Sequence, residues 1–135
     1  MCGKEVSEAL KRLTEAMNGL NIGGIMCVDI LGTEYEVSFQ SVEQNQKLEK
    51  VMGYCEQYSK KIVVGDFEDV KKDPMCVENL EELQKKVLRH EIIHAFFGES
   101  GLRSCSEYAE DEELVDWIAI QFPKILKAFN EVNAL

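Results

Sequence analysis

Histidine and proline are scarce in this chain, with two of each among 135 residues, and tryptophan occurs once. Basic residues are the minority charge, 15 lysines and arginines against 25 aspartates and glutamates, for a formal net charge of −10. That balance argues against nucleic acid as the main partner, because phosphate binding needs a basic surface. No stretch approaches the roughly 20 apolar residues of a membrane span. The opening M-C-G-K-E-V-S-E is followed by no apolar core of the signal-peptide kind, so the expected compartment is the cytoplasm, with no membrane partner. The cysteines (Cys2, Cys27, Cys55, Cys76 and Cys105) are odd in number and lack a C-x-x-C pair. They read as reduced thiols and buried small hydrophobes rather than a disulfide framework. Internal repeats, low-complexity tracts and an interdomain linker are lacking too. The length fits one domain, residues 1–135, and 45% apolar residues is ordinary for a globular protein.

What the chain does have is a concentration of chemistry. Both histidines fall in R-H-E-I-I-H-A-F-F-G-E-S-G, Arg89 to Gly101, where His90, Glu91 and His94 match H-E-x-x-H. Positions four apart share one face of an α-helix, so the two imidazoles can close on a single metal ion. Glu91, beside the first histidine, can reach a metal-bound water without being a ligand. A catalytic Zn²⁺ takes three protein ligands and leaves a position for water, whose pKa it lowers towards about 7. The preceding D-P-M-C-V-E-N-L-E-E-L-Q-K-K-V-L reads as the same helix, over 74–98. It would start at Asp73–Pro74 or at Asn79 with Glu82 three residues on. Acidic Glu78, Glu81 and Glu82 come early and basic Lys85, Lys86 and Arg89 late, which suits the helix dipole. Leu80, Leu83, Val87, Leu88, Ile92, Ala95 and Phe96 supply the apolar face, and Gly98 a C-cap.

A third ligand has to come from outside this helix. Downstream lies D-E-E-L-V-D-W-I-A, amphipathic and helical, with Glu112 and Asp116 four apart on one face. With this pair the chain resembles the gluzincins, the thermolysin-like branch of the zincin metallopeptidases, whose pattern is H-E-x-x-H followed by E-x-x-x-D on a second helix. Ala119 also fits the looser E-x-x-x-D-x-x-A. The resemblance implies Zn²⁺ held by His90, His94 and Glu112, with Glu91 as general base and Asp116 orienting a ligand histidine. A carboxylate on the far ring nitrogen fixes the tautomer and raises ligand basicity. Glu113 lies about 100° round the helix, on a face without the aspartate. Glu110 has no aspartate at that spacing, Glu99 reads as capping or solvating the helix end, and Cys105 lacks a supporting pattern. No third histidine is present for a metzincin site. M-G-Y-C followed by a strand and then H-E-I-I-H-A is similar to compact gluzincin-like proteins of bacteria and phages. The likeness spans roughly residues 25–125, and its motif is far more specific than the rest. Larger members add a second lobe that this chain is too short to contain.

The remaining segments surround that unit. Residues 4–20 carry a helical stripe of Val6, Ala9, Leu10, Leu13, Ala16, Met17 and Leu20, read as a helix docked on the core or on a partner, within an N-terminal helix over 1–20. Over 25–67 strands are expected. Met26, Val28 and Ile30 alternate, Gly32–Thr33 turns, and Tyr35, Val37 and Phe39 alternate again, with Glu34, Glu36 and Ser38 towards solvent. Residues 41–50 read as a loop or short helix. V-M-G-Y-C and K-I-V-V-G-D-F form a second hairpin. The family likeness implies that Ile62, Val63, Val64 and Gly65 are the sheet edge above the zinc, to which a peptide adds as a strand; the alternative is an interior strand. Over 107–133 come the ligand helix, buried through Trp117, Ile118 and Ile120, and a final helix beyond Pro123. Tyr108, read as one turn before Glu112, is a candidate oxyanion donor or an anchored half-buried residue. The order of elements predicts an α+β fold, a minimal zincin-like core with a small, mostly antiparallel sheet on the H-E-x-x-H helix.

Two functions follow from this reading. One is a zinc metallopeptidase acting on a peptide or protein. The other is a metal-binding or interaction module, prophage-derived, that keeps the scaffold without turnover. Glu91 favours the first, since a structural zinc has no need of a base and is usually closed by four ligands.

Overall fold

The computed structural model describes residues 25–135, so the expected helix over 4–20 lies outside the described residues. The architecture is α+β, with a four-stranded mixed sheet and two long helices among the described residues. The strands are β1 (Ile25–Ile30), β2 (Thr33–Gln40), β3 (Gly53–Glu56) and β4 (Lys61–Gly65), and the helices are α1 (Leu80–Glu99) and α2 (Glu112–Glu131).

Alternation builds the first hairpin as expected. Tyr35 and Val37 are buried, while Glu34 and Glu36 between them are exposed. The turn sits one residue earlier than the sequence suggested. Leu31 and Gly32 both have positive φ (52° and 87°), the twist that two-residue hairpin turns require, and Asp29 Oδ1 accepts from Gly32 N at 3.0 Å. Asn45 then starts a short 3₁₀ turn over Gln46–Glu49.

The second hairpin forms, but its strands take unexpected places. The order is β1-β2-β4-β3, with β4 parallel to β2 and antiparallel to β3. Ile62, Val63, Val64 and Gly65 are therefore an interior strand, not the sheet edge. The cause is β4's composition: three consecutive β-branched residues, all at most 3% exposed, need cover on both faces and a neighbour on each side. The edge beside α1 is β3 instead.

Helix α1 begins at Leu80 rather than at 74. Asp73 is extended and its carboxylate caps a turn through Met75 N at 2.8 Å, while Asn79 Oδ1 accepts from Glu82 N at 3.2 Å as the true N-cap. The helix also runs past Gly98. The left-handed residue that ends it is Gly101 (φ 81°), and Gly98 is buried inside, where Gln57 Nε2 donates to its carbonyl at 3.1 Å. A Cβ at Gly98 would sit 2.7 Å from Gln57 Cδ, so a larger residue there would have to displace the Gln57 amide from this bond. Glu99 does not solvate the helix end. It accepts from Tyr35 Oη at 2.7 Å and Thr33 Oγ1 at 3.2 Å and pairs with Lys60, tying the end of α1 to the sheet. Lys60 chiefly, then Tyr35, hold its carboxyl below the usual range.

Helix α2 is continuous across Pro123, so no separate final helix follows it. Proline removes one N–H, which frees the carbonyl four residues back, that of Ala119. Arg89 of α1 takes this carbonyl through Nε at 2.6 Å, and so supplies from another helix the partner that α2 cannot. Val115 and Ala119, both fully buried, form the inner face of α2, whereas Trp117 and Ile120 are exposed. Small residues win this face because they let the two backbones approach.

Replacing Arg89 by Met is expected to destabilise the protein by roughly 1.5–3 kcal/mol, the range for a bond from a charged donor. In a Pro123→Ala background the loss should shrink, because residue 123 then offers its own N–H to Ala119. A denaturant-unfolding double-mutant cycle reads this coupling directly, and strictly additive losses would separate Arg89 from the proline.

Candidate metal centre

His90 and His94 stand one turn apart on α1, their rings edge-on with centroids 4.7 Å apart, and each turns Nε2 towards α2. Glu112, in the first turn of α2, meets both. Its Oε2 lies 2.9 Å from His90 Nε2 and its Oε1 3.1 Å from His94 Nε2. Asp111 caps that turn, its Oδ1 accepting from Glu113 N and Leu114 N. The three side chains form a group whose ligand-type atoms all lie within 4.8 Å of one another. Asp116, one turn further along α2, has Oδ1 3.2 Å from His90 Nδ1. The helices are antiparallel, so the motif's two halves meet as a ladder: His94 with Glu112, His90 with Glu112 and Asp116, Lys86 with Asp116, Arg89 with Ala119.

These donors suit a metal on chemical grounds. The two Nε2 atoms are 3.1 Å apart and face a carboxylate, an arrangement that hydrogen bonding alone satisfies poorly, since neutral imidazoles bring one proton each. Burial, foremost, lowers the pKa of His94, which favours the neutral form a ligand needs. Among the described residues His94 Nδ1 is buried without a hydrogen-bond partner, and the other ring nitrogen lies in the cluster. Two imidazoles and a carboxylate form a nitrogen–oxygen set of the kind that binds zinc.

Scanned against protein-family profiles, curated proteins and solved structures, the chain has no match. The site therefore stands on its own geometry.

Glu91 lies on the sheet-facing side of the same turn. It is 7% exposed, and burial pushes its carboxyl up to about 7. Gly53 of β3 makes that burial possible. A Cβ there would meet Val87 Cγ1 at 2.8 Å, the Val63 carbonyl oxygen at 3.0 Å and Glu91 Cγ at 3.4 Å, so only glycine lets the edge strand lie this close to the helix. A cleft of about 660 Å³ opens in front, walled by Met52 and Gly53 on one side, Asp66 and Phe67 beyond, and His90, Glu91, Glu112 and Asp116 along the helices. Cys55 neighbours Glu91, and burial first, then the Glu91 charge, push its thiol up to about 12, which keeps it protonated.

Not every residue singled out in the sequence gathers here. Tyr108 sits on a 3₁₀ turn (Glu107–Glu110) ahead of the Asp111 cap, not on the ligand helix, so it does not share the Glu112 face. It is half-exposed and packs edge-on against Phe97, centroids 6.4 Å apart, and it does not line the cleft. Ile62, Val63 and Val64 do not line it either; of that segment only Gly65 does. Cys105 is exposed and bonds the Gly101 carbonyl. Sequence reasoning missed Lys86 and Arg89 as parts of the site, treating them as dipole partners. The signal for Lys86 was its place four before His90; for Arg89 it was Pro123, four after Ala119.

If the group holds zinc, Asp116→Asn should weaken that binding by roughly 10–100-fold, as losses of an outer partner to a ligand histidine typically do. Competition titration against a chromophoric chelator measures this, and an unchanged affinity would exclude Asp116 from that role.

The raised Glu91 value has a second consequence in the metal-free protein. The folded state holds the proton more tightly than the unfolded chain, so this group favours folding below its ordinary value of 4.5, and that contribution is lost as pH rises through about 7. Glu91→Gln cannot ionise and escapes this loss. The melting temperature of the glutamine variant should therefore gain on the wild type across that interval, with chelator present throughout, and a difference independent of pH would show that Glu91 titrates normally.

Proposed function

We propose that the chain is a zinc-dependent peptidase in which His90, His94 and Glu112 hold the ion and Glu91 is the general base. The observation that carries this reading is the buried Glu91 carboxyl on the turn that bears the ligand group, raised to about 7, where a base works best at neutral pH. A closed structural metal site has no use for such a group. Zinc, when bound, would polarise a carbonyl oxygen and acidify a water. Glu91 accepts the proton of the attacking water and delivers it to the amine nitrogen as the peptide C–N bond breaks. Asp116 accepts from His90 Nδ1 and so keeps the Nε2 lone pair in the cluster. Phe67 and Met52 add apolar walls to the cleft.

The substrate is a peptide or protein segment in extended form. Among the described residues β3 is an edge of the sheet, and with Gly53 at the cleft it suits a chain that adds as a further strand, so β3 takes the part that the family likeness implied for residues 62–65. Free Cys27, Cys55, Cys76 and Cys105 suit a reducing, cytoplasmic setting, and among the described residues no helix is long and apolar enough to cross a membrane. A second reading, a metal-binding or interaction module without turnover, draws on Tyr108, whose place against Phe97 takes the expected oxyanion donor away from the cleft.

Glu91→Gln separates the two. It should leave zinc stoichiometry intact and lower the cleavage rate by about 10²–10⁴, the usual cost of losing a general base. Glu112→Ala should instead lower zinc occupancy and thermal stability together, because bound metal stabilises the folded state by linkage. Zinc content and peptide-library cleavage are measured on each protein. A glutamine variant as fast as wild type excludes Glu91 as the base, and zinc-loaded wild type that cuts nothing favours the module.

A further inference from the structure

We propose that Lys86 is a positioning residue of this centre, holding the Asp116 carboxylate against His90 and thereby setting which ring nitrogen of His90 carries the proton. The inference rests on the metal reading for its purpose, though not for its test. Lys86 stands one turn before His90, on the face that carries both histidines. Its Nζ lies 2.6 Å from Asp116 Oδ1, the same oxygen that lies 3.2 Å from His90 Nδ1. Among the described residues these are the two partners of that carboxylate. The Asp116 side chain is 36% exposed, so without Lys86 it would be free to turn to water. The Lys86 side chain is less exposed, at 24%, and lines the same cleft as Glu112 and Asp116.

The tautomer is contested because two carboxylates face one ring. Glu112 Oε2, at 2.9 Å from Nε2, draws the proton of a neutral His90 to Nε2, and Asp116 draws it to Nδ1. Only the second arrangement leaves the Nε2 lone pair free among the ligand-type atoms. Glu112 meets His90 at the shorter distance and meets His94 as well, so Asp116 competes only if its oxygen is kept in place. Lys86 does that from the same helix, through a charge-assisted bond that fixes the rotamer while leaving a lone pair of Oδ1 for His90. The ammonium also draws charge from that oxygen, which weakens it as an acceptor. Since the Asp116 side chain is open to water on one side, fixing its position outweighs this weakening.

The test uses metal-free, ¹⁵N-labelled protein and long-range proton–nitrogen correlation of the imidazoles, which reports the tautomer of each ring. Wild type should show His90 predominantly as the Nδ1–H form. Lys86→Met should shift it towards Nε2–H, and Lys86→Arg, which can still pair with the carboxylate, should restore the wild-type signal. Zinc affinity should follow, weaker by about 10-fold in Lys86→Met, at the lower end of losses seen for outer-sphere partners, and largely kept in Lys86→Arg. If the methionine variant does not fold, Lys86→Gln serves, since its amide can donate without a charge; a tautomer mixture between wild type and Nε2–H supports the proposal there. An unchanged His90 tautomer in a folded Met or Gln variant overturns it, as does an enriched Nδ1–H form. A tautomer shift in a protein that binds no zinc would sustain the role of Lys86 while refuting the metal reading.

Discussion

The contact on which the site depends is the antiparallel seam between α1 and α2. Three ligand-type atoms from two helices converge there, and nothing within either helix alone would bring them together. Holding two imidazoles and a carboxylate so close costs desolvation, and the seam offsets that cost along its length. Val115 and Ala119 present small side chains that allow the backbones to approach. Lys86–Asp116 and Arg89–Ala119 bracket the histidines on the far side from Glu112's turn. The second of these links backbone chemistry to the candidate site, because a proline in α2 leaves an acceptor that an arginine next to His90 then occupies.

The sheet sets the other half of the site. Helix α1 is fastened to it at the Gln57–Gly98 bond and at the Glu99 cluster, and it is approached closely by β3 at Gly53. These fastenings lie beyond the motif or beside it, so they fix the rotation of α1 without occupying the cleft. Rotation matters because neighbouring residues on one turn are assigned opposite surroundings. His90 and His94 look to α2, while Glu91 looks to the sheet and is buried. The same burial that costs stability when the carboxyl ionises is what lifts it to about 7. A carboxyl of raised pKa and a pair of imidazoles are thus separated by the geometry of one helical turn.

Much of this was readable in the chain. The motif helix, Asn79 as one of two candidate starts for it, the alternating β2 positions and the Glu112–Asp116 pair are local patterns, each set by a period of 3.6 or 2 or by capping chemistry over a few residues. Local periodicity likewise put Glu91 beside its histidine but on another face. The α+β class followed from the order of those patterns. The sequence was also enough to bring forward Glu112 over Glu110 and Glu113, because only Glu112 has an aspartate four residues on.

What the tertiary structure alone decided are the matters that depend on neighbours distant in the chain. Strand order is one: residues 62–65 are a short apolar run that calls for cover on both faces, but which strands flank it was decided by pairing with β2 on one side and β3 on the other, which left β3 as the edge beside the cleft. Helix continuity is another, since a proline usually ends a helix and here Arg89, some 30 positions away, supplies the missing partner. Tyr108 left the site because the Asp111 cap starts α2 after it, a three-residue matter that periodicity could not resolve. Lys86 entered because two helices run antiparallel in one register. Local chemistry determined which groups this protein has to work with; long-range packing determined which of them meet.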